Sequence, residues 1–418
     1  MRREWISVLQ AVLLGLALAG YVGVGAALSS QAFKFDFIQF FASGRSLVAG
    51  ESIYTPLRMD DFNPAPAERR STPVTLHPNL NPPLLALLVA PLTFLGLSAS
   101  YIAWSTFSLL SGLSACVLLW RGLRQVDRKD SELVWLWIAL LFYFPTYTAL
   151  TLGQATFCTL LPLAGAWLAA RRGHDRVAGM LVGLGVSLKV FVALLVIFFV
   201  LQRRWRVVAW SIGAILFTVL VTLPFVGVGA YREYFTVIRT VTWFGNSWNA
   251  SYSAFITRIL GGSENVPLVN LPVLARGLVL LCSTATLLWL AWVTWQRQGV
   301  VHSLGRFDLG YGLTLTVMLL VSPLGWMYYF PLLLLPGYTV WSLTRDASMR
   351  SLRWGLLLAW GMSTIPTSMV RAMDVNDPFG WFTSNSVHFY ALFTMAVVVS
   401  RALVRVNPPS CVVPASRV

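Results

Sequence analysis

Apolar stretches separated by short polar segments occupy almost the whole chain. Most of them approach the roughly 20 residues that an α-helix needs to cross a bilayer. The pattern therefore predicts an all-α polytopic membrane protein, a bundle of about 10 to 12 transmembrane helices with short juxtamembrane helices. The apolar runs are 5–28, 82–97, 101–120, 133–150, 155–170, 177–201, 208–227, 273–296, 308–322, 326–344, 354–371 and 387–404.

Two topologies fit these runs. If every run is a full crossing, the basic clusters at 121–129 and 171–176 lie outside, against the positive-inside rule. The same clusters become cytoplasmic if 82–97 is a short helix that dips in from outside and 177–201 is two half-helices that meet near Lys189. Broken backbone at membrane depth is tolerated where it lines a cavity inside the protein. We favour this second arrangement.

The predicted domain organisation is simple. Residues 1–406 form a single transmembrane domain, because no loop approaches the roughly 100 residues of a typical separate domain. Residues 407–418 are proline-rich and predict a disordered cytoplasmic tail. The first apolar run exceeds a signal-peptide core of about 7 to 15 residues, which indicates a retained first span. The outward segments are then 29–81, 151–155, 228–272, 322–326 and 372–386.

Composition agrees with a membrane protein. The chain is 57% hydrophobic and 11% charged, with a mean hydropathy of +0.69. Its formal net charge of +15 is carried mostly by arginine, as expected for basic cytoplasmic loops. No basic run is interleaved with aromatic residues, so the charge does not indicate a nucleic-acid partner. The four cysteines show no Cys-x-x-Cys spacing and indicate neither a disulfide framework nor a metal site.

Asp36 lies near the start of the first long polar segment, which runs from Lys34 to Pro83. One interpretation makes it a helix N-cap or a juxtamembrane anchor, because the residues that follow resemble an amphipathic interfacial helix. The other makes its carboxylate a candidate for chemistry, since the loop that follows is large enough to fold over it and other polar groups gather on the same side.

Lys189 lies in an otherwise apolar stretch, where a charged residue costs about 2.5 to 3.5 kcal/mol on insertion scales. It snorkels if the stretch sits at the cytoplasmic edge of the bilayer. At the apex of two half-helices it instead directs a cation into the protein, where an anion such as phosphate satisfies it.

The remaining candidates lie in the outward segments. Indoles beside amides and guanidinium groups suit the faces and hydroxyls of sugars, although aromatic residues also favour membrane interfaces. Packing or solvation is the alternative interpretation for the residues in turns. The candidates are His77, Asn81, Gln154, Trp248, Asn249, Ser251, Arg258, Trp326 and Tyr328.

Short motifs along the chain combine into a family resemblance. They are Asp36-Phe37 with a small-residue helix leading to Gly50 and Tyr54, Asn81-Pro82-Pro83-Leu84, Gly153-Gln154, Leu188-Lys189, Arg203-Arg204-Trp205-Arg206, Trp248-Asn249-Ala250-Ser251, and Ser322-Pro323 followed by Trp326. The set resembles glycosyltransferase family 87, membrane enzymes of the GT-C superfamily that use polyprenyl-phosphate sugars. Val190 stands where the family often has proline, and Tyr328 and Tyr329 stand where relatives often have histidine.

The resemblance implies an inverting transfer of a sugar, most commonly mannose, from a polyprenyl phosphate to a membrane glycolipid. A phosphate-linked sugar already carries a good leaving group, so transfer needs one general base and cations rather than an acid–base pair. Asp36 is then the expected base, with Lys189 and Arg258 stabilising the departing phosphate. No metal or cofactor is expected, and the site is expected to face the periplasm from the inner (plasma) membrane.

Three alternatives stay open at this point. In the first alternative, the same reaction transfers another sugar, such as arabinofuranose, from the polyprenyl phosphate. A lipid or sugar transporter would use Lys189 as its substrate site, but it predicts hydropathy symmetry between the two halves, and none is visible. An assembly protein without activity predicts that Asp36 is replaceable without consequence.

Overall fold

A computed structural model describes residues 2–32, 36–55, 57–58, 75–76, 79–123, 131–261, 267–295, 304–344, 349–366, 369 and 384–405. Two predictions fall on other residues: His77 and the tail at 407–418 lie outside the described part of the chain.

Helices make up most of the described chain. The α-helices are α1 (Arg2–Ser29), α2 (Phe37–Ala49), α3 (Pro83–Val89), α4 (Leu97–Leu123), α5 (Ser131–Leu141), α6 (Phe144–Thr151), α7 (Thr156–Arg171), α8 (Asp175–Leu188), α9 (Leu194–Leu201), α10 (Trp205–Arg239), α11 (Tyr252–Leu260), α12 (Pro272–Thr294), α13 (Leu304–Val321), α14 (Leu334–Leu343), α15 (Arg350–Thr364) and α16 (Val387–Arg405). Short 3-10 helices occur at Ala90–Leu95, Val190–Ala193, Met327–Leu333 and Ser384–Ser386. Two-residue strands, β1 (Leu57–Arg58) and β2 (Thr75–Leu76), pair antiparallel within the first polar segment.

The predicted fold class is confirmed: the protein is an all-α polytopic membrane protein. Six described helices are long and apolar enough to cross a bilayer, namely Trp5–Ser29 of α1, α4, α10, α12, α13 and α16. The bent pair α5 and α6, with 63° between its members, adds a seventh if it forms one span. The other apolar runs form shorter helices, so the number of full crossings stays a prediction.

The predicted break at Lys189 is present. Lys189 has extended backbone (φ −146°, ψ 110°) between the end of α8 and the 3-10 helix that leads into α9. The run at 82–97 is also divided, since α3 passes into a 3-10 helix that ends at Gly96. The break between α5 and α6 was not predicted, and Pro145 at the start of α6 accounts for it because proline cannot continue a helix from the preceding turn.

Close helix packing holds the broken segment in place. Gly179 and Gly183, one turn apart on α8, lie against α10, where an added Cβ would come within 2.5 Å of the carbonyl oxygens of Val207 and Ser211. Small residues at this spacing let two membrane helices approach closely. Lys189, at the end of α8, is thereby fixed relative to α10.

A buried polar cluster joins three helices at one end of the bundle. Asp308 of α13 is fully buried, accepts a hydrogen bond from Trp167 Nε1 (2.9 Å) and pairs with Arg171 Nε (3.1 Å) on α7. Arg171 also donates to the carbonyl of Gly122 on α4. Nearby, Arg204 pairs with Asp175 across the starts of α8 and α10. These charged groups lie at the end of α7 and at the starts of α8 and α10. The opposite ends of the three helices lie beside a cavity.

Candidate active site

A cavity of about 810 Å³ lies at the opposite end of the bundle from the Asp308 cluster. Its wall combines the start of α2, the residues before α3, the turn between α6 and α7, the break after α8, the end of α10 and the loop after α13. The polar and aromatic residues that line it are Asp36, Gln39, Phe40, Asn81, Gln154, Lys189, Phe191, Tyr234, Trp243, Phe244, Asn246, Trp248, Ser322, Trp326, Tyr328 and Tyr329.

Asp36 stands directly before α2 and is half-buried. Its backbone is helical (φ −62°, ψ −23°), and its side chain makes no capping hydrogen bond to α2. The carboxylate instead accepts a hydrogen bond of 2.6 Å from Gln154 Nε2 at Oδ2. Asp36 therefore occupies the N-cap position without capping α2 through its side chain, and the residue lines the cavity.

The turn that carries Gln154 is clamped onto the start of α2. Gly153 adopts a left-handed conformation (φ +67°), and an added Cβ would lie 2.6 Å from Cβ of Phe37. The backbone N–H of Phe37 donates to the carbonyl of Leu152 (3.0 Å), and Trp104 Nε1 donates to the carbonyl of Gly153 (2.8 Å). Only glycine fits this turn without strain, and the turn brings the Gln154 amide against Asp36.

Lys189 points into the protein. Its Nζ donates to Oδ1 of Asn81 and, at 2.9 Å, to the hydroxyl of Tyr329, and it lies 5.1 Å from the centroid of the Tyr329 ring. Only 7% of the residue is exposed. The snorkelling alternative is therefore wrong. The Lys189 side chain lines the same cavity as the Asp36 carboxylate.

Asn81 is held by a buried polar chain that reaches α2. Its backbone N–H and its Nδ2 both donate to Oδ1 of Asn79 (3.0 and 2.6 Å), and Asn79 Nδ2 donates to the hydroxyl of Ser43 (3.1 Å). The hydroxyl of Tyr54 donates to the carbonyl of Asn81 (2.8 Å). The amide oxygen of Asn81 that accepts the hydrogen bond from Lys189 is thus held in position by α2 and the loop after it, and α2 directly follows Asp36.

The two predicted turns at 248–251 and 322–326 interlock. Asn249 and Trp326 form an isolated antiparallel bridge, and Asn249 Nδ2 donates to the carbonyl of Pro323 (2.8 Å). Ser251 caps α11 by accepting from the backbone N–H of Ala254 (3.3 Å). Asn249 and Ser251 are fully buried and lie behind the cavity wall, so a sugar contact by either one stays a prediction.

The aromatic members of these turns face the cavity. Trp326 and Tyr328 stack with ring centroids 5.9 Å apart, and Tyr328 and Tyr329 meet edge to face at 4.8 Å. Trp248 lines the same wall. Stacked rings with polar tips suit a sugar, which presents both C–H faces and hydroxyls.

Arg258 supports this wall from behind. It is fully buried and absent from the cavity lining, and its Nη1 donates to the carbonyls of Asn246 (3.0 Å) and Asn249 (3.1 Å). Burial lowers the pKa of its guanidinium to about 9, which leaves it charged at neutral pH. The structure thus gives Arg258 a supporting position, and its contact with a donor phosphate stays a prediction.

Several residues that line the cavity were not among the site residues predicted from the sequence. Gln39 lies three residues after Asp36 and therefore on the same face of α2, a signal that helical spacing offered. Tyr329 was quoted only as part of a turn, and nothing in the sequence linked it to Lys189. Among the described residues, no group of three or more His, Cys, Asp or Glu side chains is arranged to hold a metal ion.

Comparison with known proteins identifies a family and two relatives. The model of glycosyltransferase family 87 matches residues 79–323, which is more than half of the chain. The chain is 27% identical over 357 residues to a polyprenol-phosphate-mannose-dependent alpha-(1-2)-phosphatidylinositol pentamannoside mannosyltransferase of Mycobacterium tuberculosis, covering 81% of this chain and 77% of that protein. It is 28% identical over 300 residues to the protein of the same name from Mycolicibacterium smegmatis, covering 69% and 66% respectively. No solved structure matches.

The family match includes the residues that build the cavity wall from Asn81 to Pro323, with Gln154 and Lys189 among them. The chain therefore belongs to glycosyltransferase family 87.

Proposed function

We propose that the protein transfers mannose from a polyprenyl-phosphate donor to a hydroxyl of a membrane glycolipid. The observation that carries the proposal is the shared cavity of Asp36 and Lys189, a carboxylate and an ammonium at the lining of one space. The donor and the class of acceptor come from the names of the two relatives, both of which use polyprenol-phosphate-mannose.

The reaction uses the two charges separately. Asp36 takes the proton of the acceptor hydroxyl, whose oxygen forms a new bond to the anomeric carbon of the donor. The bond from that carbon to the phosphate oxygen breaks, and its electron pair leaves with the polyprenyl phosphate. Attack in line with this departure inverts the anomeric configuration. Lys189 compensates the charge that develops on the phosphate, and no metal or cofactor takes part.

Neutral groups position both charges for this chemistry. Gln154 donates to one carboxylate oxygen of Asp36, while Asn81 and Tyr329 hold the ammonium of Lys189. Trp248, Trp326 and Tyr328 offer ring faces to the sugar. Apolar lining residues such as Phe191 and Leu194 extend the cavity where the polyprenyl chain enters.

The distribution of arginine favours an extracytoplasmic site in the plasma membrane. Arginines gather at the helix ends remote from the cavity, and basic residues mark the cytoplasmic side of membrane proteins. The helix-end arginines in question are Arg121, Arg171, Arg172, Arg176, Arg204 and Arg206. The cavity would then open towards the periplasm or its equivalent.

An assay with the purified chain tests the proposal. Labelled polyprenyl-phosphate mannose and polyprenyl-phosphate arabinofuranose are offered in parallel with phosphatidylinositol mannosides as acceptors. We expect mannose in a new glycosidic product, with the same rate in the presence of a metal chelator. Transfer of arabinofuranose alone would reassign the sugar. Movement of the intact donor across a vesicle membrane without a new bond would instead identify a transporter.

A further inference from the structure

Helix α10 divides into two segments with different surroundings. Pro224 lies inside the helix, and Gly227 has non-helical backbone (φ +71°, ψ 169°) that kinks it. The part before the kink is apolar and long enough, at about 1.5 Å per residue, to cross a bilayer. Residues 228–239, called here the outer segment of α10, therefore start where the span ends. The hydroxyls of Thr222 and Tyr231 hydrogen bond at 2.5 Å across the kink.

One face of the outer segment packs on the protein. Ala230 and Tyr234, one helical turn apart, are buried in a cluster with Ile53, Tyr54 and Ala86. The rings of Tyr54 and Tyr234 lie with centroids 5.9 Å apart. The outer segment is thus fixed to the polar loop that carries Asp36, and its opposite face is turned away from the protein.

That opposite face is basic and aromatic. Arg232, Phe235 and Arg239 stand at positions i, i+3 and i+7, which puts them on one stripe of the helix, and all three are exposed. Phe235 is 61% exposed. Within the described part of the chain, neither guanidinium forms an ion pair with a carboxylate. A helix with arginine and phenylalanine on its free face, just beyond a span, is typical of a membrane interface.

The stripe leads to the rim of the cavity. Ile238, next to Arg239, lines the cavity, and so do Val241, Trp243 and Phe244 in the turn that follows. A lipid phosphate held at the stripe would therefore have its headgroup close to the space that contains Asp36 and Lys189.

We propose that the outer segment of α10 binds the phosphodiester of an anionic phospholipid, with Arg232 and Arg239 as its ligands and Phe235 among the acyl chains. Charge complementarity identifies the occupant, because two exposed guanidiniums that pair with no carboxylate of the described residues suit a phosphate, which accepts their paired N–H groups. This inference rests on the proposed function for one consequence only: the bound lipid serves as the acceptor, oriented with its sugar towards Asp36.

Lipid binding tests the surface without any transferase assay. Purified wild type and the double variant Arg232→Gln/Arg239→Gln are mixed with phosphatidylinositol or phosphatidylcholine and examined by native mass spectrometry. Arg276→Gln is the matched control, since Arg276 is an exposed arginine near the start of α12. We expect wild type and control to retain phosphatidylinositol in preference, and the double variant to lose most of that preference. Equal retention by all three proteins would overturn the proposal.

Kinetics then test the link to the acceptor. We expect the double variant to raise the KM for phosphatidylinositol mannosides about tenfold, as loss of charge-assisted hydrogen bonds to one phosphate predicts. Its kcat and its KM for the donor should stay the same, and so should its KM for a short-chain alkyl mannoside without phosphate. Added salt should weaken acceptor binding by wild type only. An equal loss with both acceptors would contradict the assignment, whereas inactive wild type that still binds phosphatidylinositol would contradict the proposed function alone.

Discussion

The two ends of the bundle both bury charged side chains, but they treat them differently. At the end remote from the cavity, Asp308 pairs with Arg171 at 3.1 Å and accepts a hydrogen bond from Trp167 Nε1. None of these three residues lines the cavity that contains Asp36 and Lys189. At the cavity end, Lys189 donates to a neutral amide and a phenol, and Asp36 receives a neutral amide. A buried charge in contact with an opposite charge is already compensated, and removal of its partner is costly. The Lys189 ammonium, which donates to an amide and a phenol at a cavity wall, can in addition receive an anionic ligand.

A large effect on activity that sharpens this comparison is expected at Lys189. Lys189→Met keeps most of the side-chain volume and removes the cation, so the developing phosphate charge loses its compensation. We expect kcat to fall by about 10² to 10³, as for loss of one preorganised electrostatic group. Steady-state transfer of labelled mannose measures it.

The thermal midpoint of Lys189→Met should equal or exceed that of wild type, because the substitution removes a buried cation that costs free energy to desolvate. A variant with wild-type kcat would show that Lys189 is a structural lysine like the arginine of the other end.

Asp308→Asn tests the opposite end. The substitution leaves the partly exposed Arg171 without its counter-charge, so the loss of stability should be smaller than the about 3 to 5 kcal/mol typical of breaking a fully buried pair. We expect a lower thermal midpoint in detergent and an unchanged kcat per folded molecule. A loss of kcat without a loss of stability would instead assign Asp308 a role in the reaction.

A smaller effect is expected at Gln154, whose side-chain amide donates a hydrogen bond to the Asp36 carboxylate. Gln154→Leu removes the hydrogen bond to the carboxylate and should lower kcat about tenfold with the KM for the donor unchanged. Gln154→Glu places a second carboxylate beside Asp36 and should move the acid limb of the pH–rate profile to higher pH. A purely structural role would lower the thermal midpoint in both variants and leave the pH profile where it is.

Much of this arrangement was predictable because it depends on local rules. Apolar run lengths give the helices, and a lysine that follows two glycines in an apolar run predicts the break at Lys189. An acidic residue just after the first span predicts a reactive position for Asp36. Each of these inferences uses residues close together in sequence.

The remaining features depend on contacts between distant segments. Gln154 reaches Asp36 across 118 positions, and Lys189 reaches Tyr329 across 140. Arg258 matched the predicted chemistry of a phosphate ligand, but its place behind the wall follows from how α11 packs against the loop before it. Sequence spacing does not distinguish a guanidinium that faces a cavity from one that binds carbonyls beneath it.

The central claim is that Asp36 is the general base, and Asp36→Asn tests it most directly because the amide keeps the shape and cannot take the proton. Glu51→Gln serves as the control, since Glu51 is an exposed carboxylate just after α2 that does not line the cavity. We expect Asp36→Asn to bind polyprenyl-phosphate mannose like wild type and to transfer it about 10³-fold more slowly, with the control unaffected. Transfer by Asp36→Asn at the wild-type rate would contradict the claim.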